Sequence, residues 1–436
     1  MKRRDFIKST FALSAIGSCL PTYLLGSNGR FSFRNSNISS DKIVIFVKMN
    51  GGNDGLNSSI LNFNYGDQFR GEVILDQNEN ILVTSTTKSS DFPVIQGPQN
   101  SLSGAQDAVV FKLNPSLSSL IWSGYFGGLG VESGNSIQSS INGDIYFVGG
   151  TNSSSLSYSS GFDLSFNGGI SDGYITRLNG NTGAILSGTF LGLNEYDQSY
   201  CVQLDLDDKV YVLGQTESNW QITPGLYGVA NSGQFIQKLS SNLNSIEWTT
   251  MIGAGSGHVE ISPTAFLVSD CYDIYLSGWG GTTNSTGGQA INSTSNGFPV
   301  TIDAYQPTTN GSNFYIAVLA PDANYLKYGT YMGGVSGPAN HVDGGTSRFD
   351  KDGTIYHAVC ASCGAMTNGF PTTPGAWSNI APSNNCNLAA FKFELGTIQA
   401  AVADPNPVIC LPDSVYFNNN SVNGNAFLWD FGDNTL

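Results

Sequence analysis

The sequence predicts an all-β chain: a β-propeller of about five four-stranded blades. Three observations carry this expectation. Short apolar runs of strand length recur in the same order, with anchor residues about 60–65 positions apart. Fifty-three glycines, with abundant Ser, Asn and Thr, supply the positive-φ positions that many tight turns require. Charged residues make up only 12% of the 436-residue chain, so the Lys/Glu-rich amphipathic stretches of a helical protein are missing.

The first element, residues 1–26, reads as an export signal. A basic start (MKRRDFIK, 1–8) precedes an uncharged segment from Ser9 to Asn28 that is too weakly apolar to span a bilayer. Residues 27–65 read as a linker carrying one strand. Lys42–Lys48 (KIVIFVK) is β-branched and of strand length, and MNGGNDGLN follows at 49–57. This stretch does not resemble what comes after it. A stray gene start joined to another coding sequence would explain the break.

The repeats run over 66–403, in units of 66–128, 129–192, 193–254, 255–334 and 335–403. One anchor is NILVTSTT at 80–87, DIYFVGGT at 144–151, KVYVLGQT at 209–216, DIYLSGW at 273–279 and TIYHAV at 354–359. A second is DAVVFKLN at 107–114, DGYITRLN at 172–179, GQFIQKLS at 233–240, NFYIAVLA at 313–320 and NLAAFKF at 387–393. A third closes each of four units: SGYFGG at 123–128, SGTFLG at 187–192, TTMIG at 249–253 and GTYMGG at 329–334. Lys112, Arg177, Lys238, Val318 and Lys392 mark the phase. One four-stranded sheet exposes both faces, and stacking such sheets around an axis buries them. The unbroken apolar run Ile145–Val148 suits a strand lying between two neighbouring blades. An incomplete ring is the alternative, with the strand at 43–47 as one way of closing it.

Beyond the repeats, Asp404-Pro-Asn-Pro407 reads as a linker. Val408–Phe417 then reads as a strand with alternation.

Four resemblances refine this reading. Arg3-Arg4-Asp5-Phe6-Ile7-Lys8 resembles a twin-arginine signal. With GGNDGLN at 51–57, the start resembles a twin-arginine-exported family of uncharacterised function with an alkaline-phosphatase-like fold. That resemblance implies Asp54 as a metal ligand, but nothing downstream supplies the other ligands, and Asp54 is expected to be a turn residue. The repeats, with Asp91-Phe-Pro93, Gly297-Phe-Pro299 and Gly369-Phe-Pro371, resemble the SBBP beta-propeller repeat of bacterial extracellular proteins. The Phe of each pair is expected to plug the core while Pro ends a strand. The third unit departs from this, with WQITPG at 220–225 in that place. The fifth unit resembles large surface proteins of gliding Bacteroidetes-type bacteria, which continue into PKD domains and a type IX sorting domain. AFLWDFGD at 426–433 resembles the core of a PKD domain, an immunoglobulin-like sandwich, which implies that residues 404–436 hold about half of such a domain.

The formal net charge is −15, and removing the leader makes the remainder −18. Such a field repels nucleic acid and anionic lipid, which excludes nucleic acid as the main partner. Outside the leader's Cys19 stand Cys201, Cys271, Cys360, Cys363, Cys386 and Cys410. Cys360, Cys363 and Cys386 are the candidate disulfide residues, since an exported chain meets an oxidising environment. A zinc site on the same residues is the alternative, completed by Cys386 and His357. No resident cofactor is expected. Asp205-Leu-Asp-Asp208 and Asp350-Lys-Asp-Gly353 offer oxygens for Ca²⁺, though neither has full calcium-loop spacing, and turn roles are expected.

No Ser/His/Asp set can be nominated, with His258, His341 and His357 each alone in a repeat. The six tryptophans suit blade cores, and also sugar stacking. The expected function is non-catalytic: binding, adhesion or scaffolding at the cell surface, linked to gliding motility. The expected partner is a surface glycan or protein. The expected location is extracellular or outer surface, or the periplasm if the twin-arginine leader operates. The alternative is a polysaccharide hydrolase or lyase with its site in the propeller funnel.

Overall fold

The computed structural model describes residues 71–286, 290, 292–334, 339–342, 347–363 and 369–395, with the backbone of 402–403 and 418–419. The leader, the strand at 42–48, Asp54, Cys19, Cys410 and the motif at 426–433 lie outside the described residues.

The chain forms a five-bladed β-propeller. The first sheet is β1 (Glu72–Leu75), β2 (Ile81–Thr87), β3 (Asp107–Leu113) and β4 (Leu120–Phe126), antiparallel in that order. The second is β5 (Ser136–Ser139), β6 (Ile145–Thr151), β7 (Asp172–Leu178) and β8 (Ile185–Leu191). The third is β9 (Asp197–Leu204), β10 (Val210–Thr216), β11 (Gln234–Leu239) and β12 (Ile246–Ile252). The fourth is β13 (Ser262–Val268), β14 (Ile274–Trp279), β15 (Phe314–Leu319) and β16 (Leu326–Met332), with a short helix α1 (Thr282–Thr286) between β14 and β15. The fifth holds β17 (Ala339–His341) and β18 (Ser347–Phe349), both paired to β19 (Thr354–Cys363), whose other partner is β20 (Asn387–Glu394). A two-residue ladder, β21 (Val402–Ala403) with β22 (Asn418–Asn419), follows. The three sequence anchors are therefore the second, third and fourth strands of the blades.

A repeated turn explains the acidic pattern before each second strand. In all five blades a five-residue turn joins the first strand to the second. Its first N–H donates to the fifth carbonyl, and its fourth N–H to the first carbonyl (Asp76/Asn80, Ser140/Asp144, Asp205/Lys209, Ser269/Asp273, Asp350/Thr354). An Asp or Ser side chain at the first position accepts from the fifth N–H, as Asp76 Oδ1 does from Asn80 N at 2.9 Å and Ser140 Oγ from Asp144 N at 3.0 Å. The fourth position is left-handed each time: Glu79 (φ 61°), Gly143 (84°), Asp208 (56°), Tyr272 (63°) and Gly353 (81°). Only glycine takes this conformation without steric cost. Exposed Glu79→Gly is therefore expected to raise stability by about 0.5–1 kcal/mol, read as a higher denaturation midpoint at unchanged m-value. A lower midpoint would refute the strain argument.

The core lies between blades. Ile145 and Phe147 pack with Leu82, Trp122 and Phe126 of the first sheet. Their neighbours Tyr146 and Val148 pack with Val202, Val212 and Phe235 of the third. One strand thus feeds two cores, which is why its run is apolar without alternation. A third cluster joins Tyr211, Ile236 and Trp248 to Leu276 and Tyr315, and a fourth joins Trp279, Phe314 and Ile316 to Ile355 and Val359. Between the fifth and first sheets, Arg348 on β18 lies 3.4 Å from Glu72 on β1. Val73 (49% exposed) and Leu75 (60%) on β1, and Leu388 (86%) on β20, are open to solvent.

The loop between second and third strands covers the outer edge in four blades. Ile95 exchanges both backbone bonds with Ser123 on β4 (3.1 and 2.9 Å). Gly188 and Phe190 donate to Ser160 and Asp163, Thr223 and Val229 to Thr249 and Met251, and Thr301 to Gly329. This occupies the unpaired groups of an edge strand. The Phe-Pro pairs sit in the second-to-third connections of the first, fourth and fifth blades. Phe298 plugs the core against Tyr315 at 4.6 Å, and Phe370 packs against Phe391 at 6.0 Å. Pro93, Pro299 and Pro371 stand within the connection and end no strand. That corrects the expectation: in the first and fourth blades the loop runs on past the proline to pair with the edge strand at Ile95 and Thr301.

Among the described residues, no helix is long and apolar enough to cross a membrane.

Candidate functional site

In the first three blades the anchor cations of the third strands lie near acids of the repeated turns, whereas Lys392 of the fifth pairs with Glu394 on its own strand. Lys112 Nζ is 2.7 Å from Asp76 and donates to the Gly180 carbonyl at 2.9 Å, both side chains being buried. Burial opposes ionisation of Asp76, but the Lys112 and Asn80 hydrogen bonds outweigh it and hold the carboxyl below its usual pKa. Arg177 Nε donates to Asp144 at 2.9 Å, and Lys238 Nζ to Asp322 at 2.9 Å with Asp205 at 3.7 Å. Where the fourth blade has Val318, Lys327 on the adjacent strand reaches Asp273 at 2.7 Å.

The two acidic turns considered for Ca²⁺ are copies of the repeated turn. Asp205 Oδ1 accepts from Asp207 N and Lys209 N (both 2.9 Å), and Oδ2 from the Tyr211 hydroxyl at 3.2 Å. Asp350 Oδ1 accepts from Asp352 N (3.0 Å) and Thr354 N (2.9 Å), and Oδ2 from the Tyr356 hydroxyl at 3.1 Å. Two depressions open beside these turns, about 190 Å³ among Gln138, Leu204, Asp208 and Asp270, and about 240 Å³ among Gln77, Lys112, Asn142 and Asn181. Both fall below the roughly 300–1,000 Å³ usual for small-molecule pockets.

A second set of acids, which the sequence reading did not single out, is buried at the blade junctions. Asp107 accepts from Ser103 N and Gly104 N (2.8 and 3.2 Å). Glu132 accepts from Gly128 N, Thr151 Oγ1 and Ser153 Oγ (2.9, 2.6 and 2.5 Å). Glu260 accepts from Gly233 N, Ala254 N and Ser256 N (3.0, 2.9 and 3.1 Å). Asp197 accepts from Leu193 N, Ser218 Oγ and Trp220 Nε1 (2.8, 2.9 and 2.9 Å). Asp172 accepts from Asn167 N at 2.6 Å, while its Oδ1 is buried without a hydrogen bond. Burial raises the pKa of Asp107 and Glu132, that of Asp172 to about 7 and that of Asp197 to about 6. Each acid sits at the start of a strand whose neighbours supply backbone N–H donors. The recurring Asp that opens the second anchor was the visible signal for Asp107 and Asp172. Glu132, Asp197 and Glu260 precede or open first strands, for which the sequence offered no anchor motif.

The reactive side chains gather in the fifth blade. Cys363 is disulfide-bonded to Cys386, while Cys360 keeps its thiol. The register places His341 on β17 opposite Cys360 on β19. The ligand atoms of His341, Cys360 and Cys386 lie within 4.8 Å of one another, and Cys363 Sγ is 3.4 Å from His341 Nδ1. His357 does not complete this group, which corrects the zinc alternative. It lies three residues from Cys360 along β19, on the face turned to the fourth blade. There it stacks on Phe391 at 4.7 Å and meets Phe314 at 5.1 Å. Burial lowers its pKa to about 3, so it is neutral at ordinary pH. Nothing local marks His341; only the pairing of β17 with β19 reveals it. Cys201 is buried in the third blade and Cys271 is exposed on a turn.

Trp122, Trp220, Trp248 and Trp279 are buried, whereas Trp377 is fully exposed (103%). Trp429 lies outside the described residues.

No family model matches the chain, and no curated protein matches it. Solved structures similar to it include a protein of unknown function from Dyadobacter fermentans DSM 18053, at 10% identity and TM-score 0.35, covering 73% of this chain and 74% of that one. Another is CoXyl43, a GH43 beta-xylosidase/alpha-arabinofuranosidase from a compost microbial metagenome, at 10% identity and TM-score 0.32, covering 77% and 93%. A third is the tail fiber of Staphylococcus aureus phage P68, at 10% identity and TM-score 0.27, covering 76% and 51%. At these scores the likenesses carry no argument about chemistry.

Proposed function

We propose that the chain is a non-catalytic, exported propeller that binds or scaffolds at the cell surface, as part of a surface protein of the SBBP-repeat and PKD type tied to type IX secretion and gliding motility. The observation that carries this reading is the use made of the acids. Asp76, Asp144, Asp205 and Asp273 are paired with cations, and Asp107, Glu132, Asp197 and Glu260 cap backbone donors at the blade junctions. Carboxylates spent this way rigidify a ring and are poorly placed to exchange protons with a substrate. The Cys363–Cys386 bond accords with an oxidising compartment.

The test pairs a glycan and cell-adhesion binding screen with a polysaccharide degradation panel, both on the full chain. Saturable binding lost on thermal unfolding, with no product release, is the expected result. Product release abolished by replacing one funnel-facing acid would replace this reading with the hydrolase or lyase alternative. Binding no greater than that of the unfolded chain would remove the adhesive role.

A further inference from the structure

We propose that His341, Cys360, Cys363 and Cys386 form a redox-gated site for a thiophilic cation of zinc type, filled when the Cys363–Cys386 bond is reduced and closed when it is formed.

Three strands bring the four residues together. His341 and Cys360 are direct cross-strand partners on β17 and β19. Cys360 is also opposite Leu388, and Ala361 opposite Asn387, so Cys386 arrives just before β20 begins. Cys363 needs a further device, because residues three apart on a regular strand point to opposite faces. Ser362 supplies it. Its φ of 55° is left-handed, and the β17–β19 register shifts between Ala339 and His341. Together these turn Cys363 to the side of Cys360. A non-glycine residue holds this conformation only where its surroundings enforce it. Here the Ser362 N–H donates to Asn340 Oδ1 at 3.1 Å, and Asn340 Nδ2 is fixed by Gly333 O at 3.0 Å and Asn313 Oδ1 at 3.2 Å. A buried, fully engaged asparagine therefore supports the irregular backbone that gathers the ligands, much as an outer shell does in a metal site.

The donor set and spacing fit the ion. Three thiolates and one imidazole are a recognised structural zinc set, with Zn–S near 2.3 Å and Zn–N near 2.0–2.1 Å, so tetrahedral ligand atoms stand roughly 3.5–3.8 Å apart. Cys363 Sγ and His341 Nδ1 already stand 3.4 Å apart, and the His341, Cys360 and Cys386 atoms fall within 4.8 Å. Filling the site requires the two bonded sulfurs to separate and the remaining atoms to close by about an ångström or less. The disulfide occupies two of the four ligands, leaving one thiol and one imidazole, too few for a closed site. Metal and disulfide therefore exclude each other.

The chemistry balances with a dithiol as reductant. The dithiol gives two electrons and two protons to the Cys363–Cys386 bond, leaving two thiols and becoming a disulfide itself. Zn²⁺ then displaces three thiol protons to solvent and takes an imidazole nitrogen of His341 as fourth ligand. Reoxidation with loss of the ion reverses both steps.

The test uses the full chain, reduced without oxygen and titrated with Zn²⁺ against a chromophoric chelator, then with Co²⁺. The expected result is one tightly bound ion per reduced chain, a tetrahedral Co²⁺ spectrum with thiolate charge-transfer bands, and no such binding by the oxidised chain. Cys360→Ser keeps the disulfide pair, so it folds independently of the question. It should weaken Zn²⁺ at least 100-fold and cut the charge-transfer intensity by about a third. His341→Gln should weaken binding while leaving that intensity in place. Equal binding by reduced and oxidised chains, or by wild type and Cys360→Ser, overturns the proposal.

Discussion

Replacing Asp172 by Asn is expected to stabilise the propeller at pH 8 and to leave it unchanged near pH 4. Asp172 is buried, with Oδ2 bonded to Asn167 N and Oδ1 without a hydrogen bond. Burial, with a contribution from the charge of Asp197, raises its pKa from the usual 3.8 to about 7. Between those values the folded state holds a proton that the unfolded state has lost, so stability falls as pH rises through this window. Below pH 4 both states are protonated and the carboxyl imposes no penalty. The interval is worth at most about 4 kcal/mol at pH 8. An amide has no charge to desolvate and keeps an oxygen for Asn167, so the variant removes this slope. Asp197, raised to about 6, leaves a weaker slope of the same sign. His357 acts in the opposite direction: its pKa of about 3 means that acid protonates the unfolded chain first, destabilising the fold as pH drops below about 6.5. Thermal denaturation of wild type and Asp172→Asn from pH 4 to 8 decides the matter. Parallel curves, or a less stable variant at pH 8, would show that the carboxylate is ionised and useful in the fold.

Trp122→Ala is expected to cost about 3–5 kcal/mol, and Trp377→Ala less than about 0.5 kcal/mol. Trp122 is fully buried between the first and second blades, in the cluster holding Leu82, Phe147 and Phe190. Its Nε1 donates to the Gly180 carbonyl at 3.0 Å, beside the Lys112 ammonium. Its ring closes on Gly183, where an added Cβ would stand 2.7 Å from Cε3 at a φ of 70°. Collapse into the vacated volume is resisted by strands on both sides, which places the cost toward the upper end. Trp377 has no such surroundings. The pair separates the two roles open to tryptophan here. Denaturant midpoints report the core role. Loss of glycan binding by Trp377→Ala at unchanged stability would identify that ring as a contact residue. An insensitive Trp122→Ala would contradict the inter-blade core.

The sequence by itself determined the all-β class, the five repeats, the identity of their second and third strands, and the fourth strand of the first four. Those strands carry long apolar runs and fixed glycine turns, which are local properties. It also exposed the Phe plugs and the recurring cation at Lys112, Arg177 and Lys238. What the cation meets was not legible, because Asp76 and Lys112, or Asp205 and Lys238, are distant in sequence and adjacent only through strand pairing. The fifth-blade cluster follows the same logic. The cysteines were visible, but the histidine beside them is His341 rather than His357, a choice made by the register of β17 on β19 and the left-handed turn at Ser362. The tertiary structure alone decided which acids are buried, since a carboxylate's pKa depends on the water that neighbouring blades exclude. Strand periodicity is written in one dimension, whereas burial and cross-strand pairing depend on residues that meet only when the ring forms.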